Sequence, residues 1–129
     1  MDNKLRELLN NSYAIISNFR VSSVVVTKDG KEFYGVNVED SSTRAGVCAE
    51  RNALFNMITN GYKKGDVKEI NIMTSKNIST PCFVCRQMIN ELCDRDTIIN
   101  CYSYSGEYKS YKVSDLCPYP FDEGDLVWK

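Results

Sequence analysis

Residues 78–89 read ISTPCFVCRQMI, and the pair Cys82 and Cys85 constrains the fold more than any other feature of the chain. Three apart behind a proline, at the start of a helical run, the two thiols share one helical face. Two thiols do not complete a tetrahedral metal site, and the 129 residues contain no histidine to add to them. A metal held here needs a further ligand from a distant segment, so the fold has to bring two helix beginnings together. Cys48, in GVCAER, opens a second run of helix formers and is the natural third ligand. At both places unpaired backbone N–H groups and the positive end of the helix dipole favour thiolates. Cys93, Cys101 and Cys117 stand singly among apolar neighbours and read as small buried hydrophobes. Three protein ligands leave a fourth position for water, which a catalytic rather than a structural zinc requires.

Six cysteines are an even number, the usual cue for three disulfides. The context argues against it. With 43% hydrophobic and 26% charged residues, the chain can bury a core without staples, so residues 1–129 read as a single domain. Its thiols are then free or metal-bound, and the expected location is the cytoplasm. The start MDNKLRELLNNSYAIISNF is amphipathic and charged rather than signal-like, and no apolar run approaches the roughly 20 residues of a membrane span. The net charge is −1, with sixteen basic and seventeen acidic residues scattered singly, so no stripe is offered to a long nucleic acid. A membrane partner is likewise not expected.

The order of elements places the cysteines. Leu5, Leu8, Leu9 and Ile16 recur at near-helical spacing and predict a helix from about Asp2 to Ser17. VSSVVVT and KEFYGVNV flank Lys28-Asp29-Gly30, the signature of a β-hairpin. GVCAERNALFNMITN, about Gly46 to Asn60, is apolar around most of its circumference and meets Gly61 as a stop, so it reads as a buried helix. VKEINIMT alternates imperfectly and reads as a central strand. Thr80 and Pro81 are expected as N-cap and first-turn proline of the next helix, CFVCRQMINELC. TIINCYSY and YKSYKV make a last strand pair around Ser105-Gly106-Glu107, and Ser114 is expected to open a terminal turn or helix. The predicted order is α-β-β-α-β-α-β-β-α.

Glu50 follows Cys48 by two residues in CAER. Its carboxylate is therefore placed near the metal without ligating it, within reach of a bound water whose proton it can take and deliver elsewhere. A histidine or cysteine ligand, a glutamate two residues on and then P-C-x-x-C is the pattern of zinc deaminases that attack a nucleobase carbon. Here the residues are Cys48, Glu50, Pro81, Cys82 and Cys85.

Together, GVNVEDSSTRAGVCAERNAL and PCFVCRQ resemble the cytidine deaminase family, in its small, homotetrameric, three-cysteine branch. The similarity runs from SNFRVSS and the Lys28-Asp29-Gly30 hairpin to the LCPYPF tail. It implies an α/β fold: a three-layer α/β/α arrangement around a mixed five-stranded sheet with the last two strands antiparallel. It also implies one Zn2+ per chain, a nucleoside substrate, and hydrolysis of cytidine or deoxycytidine to the uridine and ammonia in pyrimidine salvage. By residue, Cys48, Cys82 and Cys85 match the zinc ligands and Glu50 the proton shuttle. Arg51 matches an arginine that donates to ligand thiolates, offsetting the negative charge three of them would place on the centre. Asn37 and Glu39 match the pair that holds a ribose hydroxyl, Phe19 an aromatic of the pyrimidine pocket, and Ala49 a residue offering backbone to the base. Phe121 matches a phenylalanine that reaches the ring from a neighbouring subunit, and the stiff tail with Tyr119, Phe121 and Trp128 suits that task.

The chain departs from the family pattern in three places. NVENASYG is here NVEDSSTRAG, so Thr43 replaces a tyrosine of the intersubunit site. Phe83 stands where a glycine is usual between the two cysteines, and the segment before Phe19 lacks the usual Pro-Tyr. These changes bear on substrate range rather than on reaction type. Taken singly, Glu50 is a carboxylate at a helix start, Glu39 a surface charge, Arg51 a solvated charge, and the two phenylalanines are core. One zinc-water reaction accounts for all the positions together. The competing classes are a deaminase of a related aminopyrimidine nucleoside such as blasticidin S, a polynucleotide-editing deaminase and a non-enzymatic zinc module. The few residues between the last two strands disfavour the second, since a parallel crossover needs a dozen or more.

Overall fold

The computed structural model describes residues 1–126; Trp128, in the tail noted above, lies outside the described residues. The elements follow the predicted order: α1 Asp2–Leu8, β1 Val21–Thr27, β2 Glu32–Val36, α2 Ala49–Thr59, β3 Val67–Thr74, α3 Phe83–Leu92, β4 Ile98–Tyr102, β5 Tyr108–Lys112 and α4 Val113–Leu116. The sheet order is β2-β1-β3-β4-β5. β3 and β4 run parallel, whereas β1–β2, β1–β3 and β4–β5 are antiparallel, the last as the short connection dictates.

The two-residue period of the strands sorts their side chains into two cores. Val25, Ile70, Ile72, Ile99 and Cys101 pack with Ala53, Leu54 and Met57 of α2, Cys85 and Ile89 of α3, and Val113 and Leu116 of α4. On the opposite face Val24, Met73 and Tyr102 pack with Leu5 of α1 and with Leu9. The result is the expected three layers. The alternation of β3 breaks at its start, where the register against β1 shifts between Val26 and Thr27 and so puts Val67 and Ile70 in the same core, while on the α1 side Asn71 is fully buried. Its side chain donates to Val24 O at 3.3 Å and accepts from Asn100 Nδ2 at 2.9 Å, which satisfies polar groups that would otherwise be costly to bury. Among the described residues no helix is long and apolar enough to cross a membrane.

Three predicted boundaries are corrected. The first helix ends at Leu8, with one 3-10 turn over Leu9–Asn11, instead of reaching Ser17. Asn10, Asn11 and Ser12 favour turns over helix, and Ser12 is extended at φ −62° and ψ 137°. Tyr13 then takes its backbone bonds from residues 37 and 39, donating to Asn37 O at 3.0 Å and accepting from Glu39 N at 2.8 Å. The N-cap of α3 is Cys82, not Thr80, whose hydroxyl accepts from Arg86 Nη2 at 2.8 Å. The terminal helix begins at Val113 with Lys112 as N-cap, and the Lys112 N–H donates to the Asp115 carboxylate at 2.9 Å.

The close seating of α2 on the sheet is set by Gly35 on β2. A Cβ there would fall 2.3 Å from Ala49 O and 2.5 Å from Ala53 N. Only a glycine lets the first turn of α2 approach this strand, and that turn carries Glu50 and is capped by Cys48.

Candidate active site

Both helices that face each other across the site are capped by cysteines: Cys48 precedes α2 and Cys82 precedes α3. Neither side chain makes a capping hydrogen bond, so both sulfurs are free for other work at positions where serine, threonine, aspartate or asparagine are the ordinary choice. Cys85, fully buried in the first turn of α3, adds a third. The Sγ atoms of Cys48 and Cys82 are 3.8 Å apart, those of Cys82 and Cys85 3.4 Å, and all three lie within 4.8 Å of one another. Cys93, Cys101 and Cys117 are buried in the core. All six cysteines are free thiols, as the context of the sequence implied.

The electrostatics of the trio ask for a cation. Contact with the Cys85 thiol, and then with Arg51, draws the Cys48 thiol well below its ordinary range. Cys85 moves the opposite way, driven up first by Cys48 and then by burial. Ionising Cys48 thus opposes ionising Cys85, a conflict that an added positive charge relieves. Arg51 Nη2 lies 3.8 Å from Cys48 Sγ, while its Nε is buried with no partner. Three convergent sulfurs of this kind are a donor set that fits zinc.

Glu50, on the first turn of α2, is only 4% exposed. Burial, reinforced by the charge of Cys48, pushes its carboxyl up to about 7. An acid with that value exchanges protons readily near neutrality, which suits a group that must both take and give one.

A cavity of about 290 Å3 opens beside the sulfurs, lined by Phe19, Val21, Asn37, Glu39, Cys48, Glu50, Ile72, Thr74, Ser79, Thr80 and Cys82. It brings Phe19, Asn37 and Glu39 together with Glu50 and two of the three cysteines. Asn37 organises its wall: Nδ2 donates to Phe19 O at 2.8 Å, and Oδ1 accepts from Val21 N at 2.9 Å and from the Ser12 hydroxyl. Glu39 Oε1 accepts from Ile16 N at 2.9 Å and Ser17 N at 3.0 Å, and Oε2 accepts from the Ser17 hydroxyl. The Ser17 hydroxyl, then those N–H groups, hold the Glu39 carboxyl below its usual range. By the ordinary capacity of each group, Asn37 keeps one N–H and Glu39 one lone pair for a ligand.

Two expected residues stand apart from this cavity. Ala49 is fully buried beneath the site, its carbonyl against Gly35, and does not line the cavity. Phe121 lies in a separate groove with Phe83, Arg86, Gln87 and Tyr119, its carbonyl accepting from Gln87 Nε2 at 2.7 Å. Phe83 lines that groove as well, and its ring sits over the Arg86 guanidinium rather than over the sulfurs. Ser17, Ser79 and Thr74 were not singled out by sequence reasoning. Isolated small polar residues carry no spacing signal; only the fold gathers them.

Comparison with known proteins gives the same picture. The family model described as cytidine and deoxycytidylate deaminase zinc-binding region matches residues 3–101. The chain is 31% identical over 113 residues to the cytidine deaminase of Mycoplasma genitalium, covering 88% of this chain and 86% of that one. It is 34% identical over 116 residues to the cytidine deaminase of Halalkalibacterium halodurans, covering 89% and 86%. The crystal structure of cytidine deaminase from Burkholderia pseudomallei superposes with a TM-score of 0.85 at 33% identity, over 94% of this chain and 99% of that one.

Proposed function

Because the chain belongs to the cytidine and deoxycytidylate deaminase zinc-binding family, we propose that it hydrolyses the amino group of cytidine and deoxycytidine, releasing ammonia and leaving uridine and deoxyuridine. The observation that carries this reading is one cavity in which Glu50, Cys48 and Cys82 meet Phe19, Asn37 and Glu39. Cys48, Cys82 and Cys85 would hold one zinc ion. When bound, zinc lowers the pKa of a water to about 7 and so supplies a nucleophile at neutral pH.

The chain's own residues do the rest. Glu50 takes one proton of the attacking water on a carboxylate oxygen and passes it to N3 of the pyrimidine; it then takes the second proton from the hydroxyl now on C4 and gives it to the amine, which leaves as ammonia as the C4 carbonyl forms. Arg51 offsets the negative charge of the sulfurs. Phe19 packs against the base, and the remaining N–H of Asn37 and lone pair of Glu39 take a ribose hydroxyl. These two unfilled positions support a nucleoside over a free base.

The same reading makes the enzyme a homotetramer of pyrimidine salvage in the cytoplasm, consistent with its free thiols. Phe121, outside its own chain's cavity and 58% exposed, supports a role in a neighbour's site. Zinc-loaded protein incubated with cytidine, deoxycytidine, cytosine and blasticidin S, with ammonia followed, tests the reading. Release from the two nucleosides alone is expected; release from blasticidin S alone would move the assignment to a related aminopyrimidine nucleoside.

A further inference from the structure

Arg86 follows Cys85 directly and brackets a different ligand, Cys82. Its Nε donates to Pro81 O at 2.7 Å, and that oxygen belongs to the peptide unit that ends in the Cys82 nitrogen. Its backbone N–H donates to Cys82 O at 2.9 Å, the peptide unit on the other side. One residue thus holds both peptide planes that flank the ligand. The guanidinium continues to Thr80 Oγ1 at 2.8 Å through Nη2 and to Leu116 O, at the end of α4, at 3.1 Å through Nη1. The Phe83 ring covers it, with the guanidinium carbon 4.4 Å from the ring centroid.

This matters because Cys82 differs from its fellow ligand on the same helix. Cys85 sits inside α3 and is fully buried, so the helix and the core fix its sulfur. Cys82 is exposed and extended, at φ −64° and ψ 163°, and no helical bond from its own N–H restrains it. A planar fork of donors spanning Pro81, Thr80 and Leu116 supplies the missing restraint, and a lysine ammonium, a point charge on a flexible stem, cannot reproduce it. Phe83 in place of the usual glycine then acts on the guanidinium, shielding one of its faces, and does not line the cavity.

We propose that Arg86 is the positioning residue of the metal loop: it fixes the orientation of Cys82 and ties that loop to α4, with Phe83 as its cover. The proposal rests on the reading of Cys48, Cys82 and Cys85 as a zinc centre.

The test compares Arg86→Lys with Arg95→Lys, an arginine just beyond the other end of α3 whose side chain donates to Asn90 Oδ1 at 2.7 Å. Zinc transfer from the loaded protein to a chromogenic chelator is timed, the visible spectrum of the cobalt-substituted protein is recorded, and far-ultraviolet circular dichroism checks the fold. Arg86→Lys should give up zinc about 10- to 100-fold faster and shift the cobalt–thiolate bands, the size expected for a residue that orients a ligand. Arg95→Lys should change neither. Thr80→Val, which removes one acceptor of the fork, should act in the same direction as Arg86→Lys but less. A folded Arg86→Lys with wild-type zinc release and wild-type cobalt bands overturns the proposal. If that variant does not fold, unchanged release from Thr80→Val overturns it. Failure of the wild-type chain to take up zinc would instead remove the metal centre itself.

Discussion

Gly35 lies directly beneath Ala49, with room for a hydrogen and not for a methyl group: a Cβ at Gly35 would stand 2.3 Å from the Ala49 carbonyl oxygen. The neighbouring atoms are helix backbone, which cannot swing aside. Gly35→Ala should therefore lift the start of α2, costing about 1–3 kcal/mol as an overpacked site does. Because Cys48 and Glu50 flank Ala49, zinc content should fall together with the melting temperature. A variant with the wild-type melting temperature and one zinc per chain would show that the approach of α2 to the sheet does not set the site.

Only three of the six cysteines should matter to the metal. Replacing Cys48, Cys82 or Cys85 by serine should abolish stoichiometric zinc, measured by atomic emission on purified protein. Replacing Cys93, Cys101 or Cys117 should leave one zinc per chain. Burial pushes the thiols of Cys93 and Cys101 up to about 12, so neither is poised to bind a cation as a thiolate. Loss of zinc from any of the latter three variants while its fold survives would close the fourth position and defeat the mechanism.

The sugar contacts predict a steep preference. Asn37 and Glu39 have most of their capacity committed to the segment from Ser12 to Val21, and both residues line the cavity. Sites with polar groups that only the right substrate satisfies discriminate by up to about 10⁴ to 10⁵. Cytosine should be a far poorer substrate than cytidine, and Glu39→Ala should erode the difference. Equal kcat/KM for base and nucleoside in the wild-type protein would remove the ribose role. Since Glu39 also holds Ile16 and Ser17, the variant should loosen that loop, seen as faster amide exchange there.

How much of this could be read from the sequence differs by residue. The cysteine spacing, the Asp-Gly hairpin and the short link between the last strands are local signals, and the meeting of two helix starts and the two antiparallel strand pairs follow from them, whereas the placing of β3 between β1 and β4 rests on long-range pairing that no local signal carries. Where several acceptors compete for one donor, local reading fails. Thr80 has the side chain of an N-cap, yet Arg86 takes its hydroxyl and the cap passes to Cys82. Ile16 continues the period of Leu5 and Leu9, yet it is 56% exposed, because the backbone around it bonds to residues 37–39 instead of to a helix. The use of Asn37 and Glu39 as loop anchors was equally hidden, since their partners lie about twenty residues away and carry no motif.

Assembly is tested by complementation. Mixing an inactive Glu50→Gln chain with an inactive Phe121→Ala chain should create sites with an intact Glu50 and an intact neighbouring Phe121, and activity should return. Absence of recovery despite demonstrated subunit exchange would put Phe121 to work in its own chain's site.

The most direct measurement of the central claim is ammonia release from cytidine by Glu50→Gln carrying one zinc per chain. Glutamine keeps the size of the side chain and cannot carry a proton between the water and the base. The account predicts that zinc and fold persist while turnover drops by at least the roughly 10²- to 10⁴-fold of general acid-base catalysis, and by more if one carboxylate serves several transfers. Near wild-type turnover in zinc-replete Glu50→Gln would contradict it.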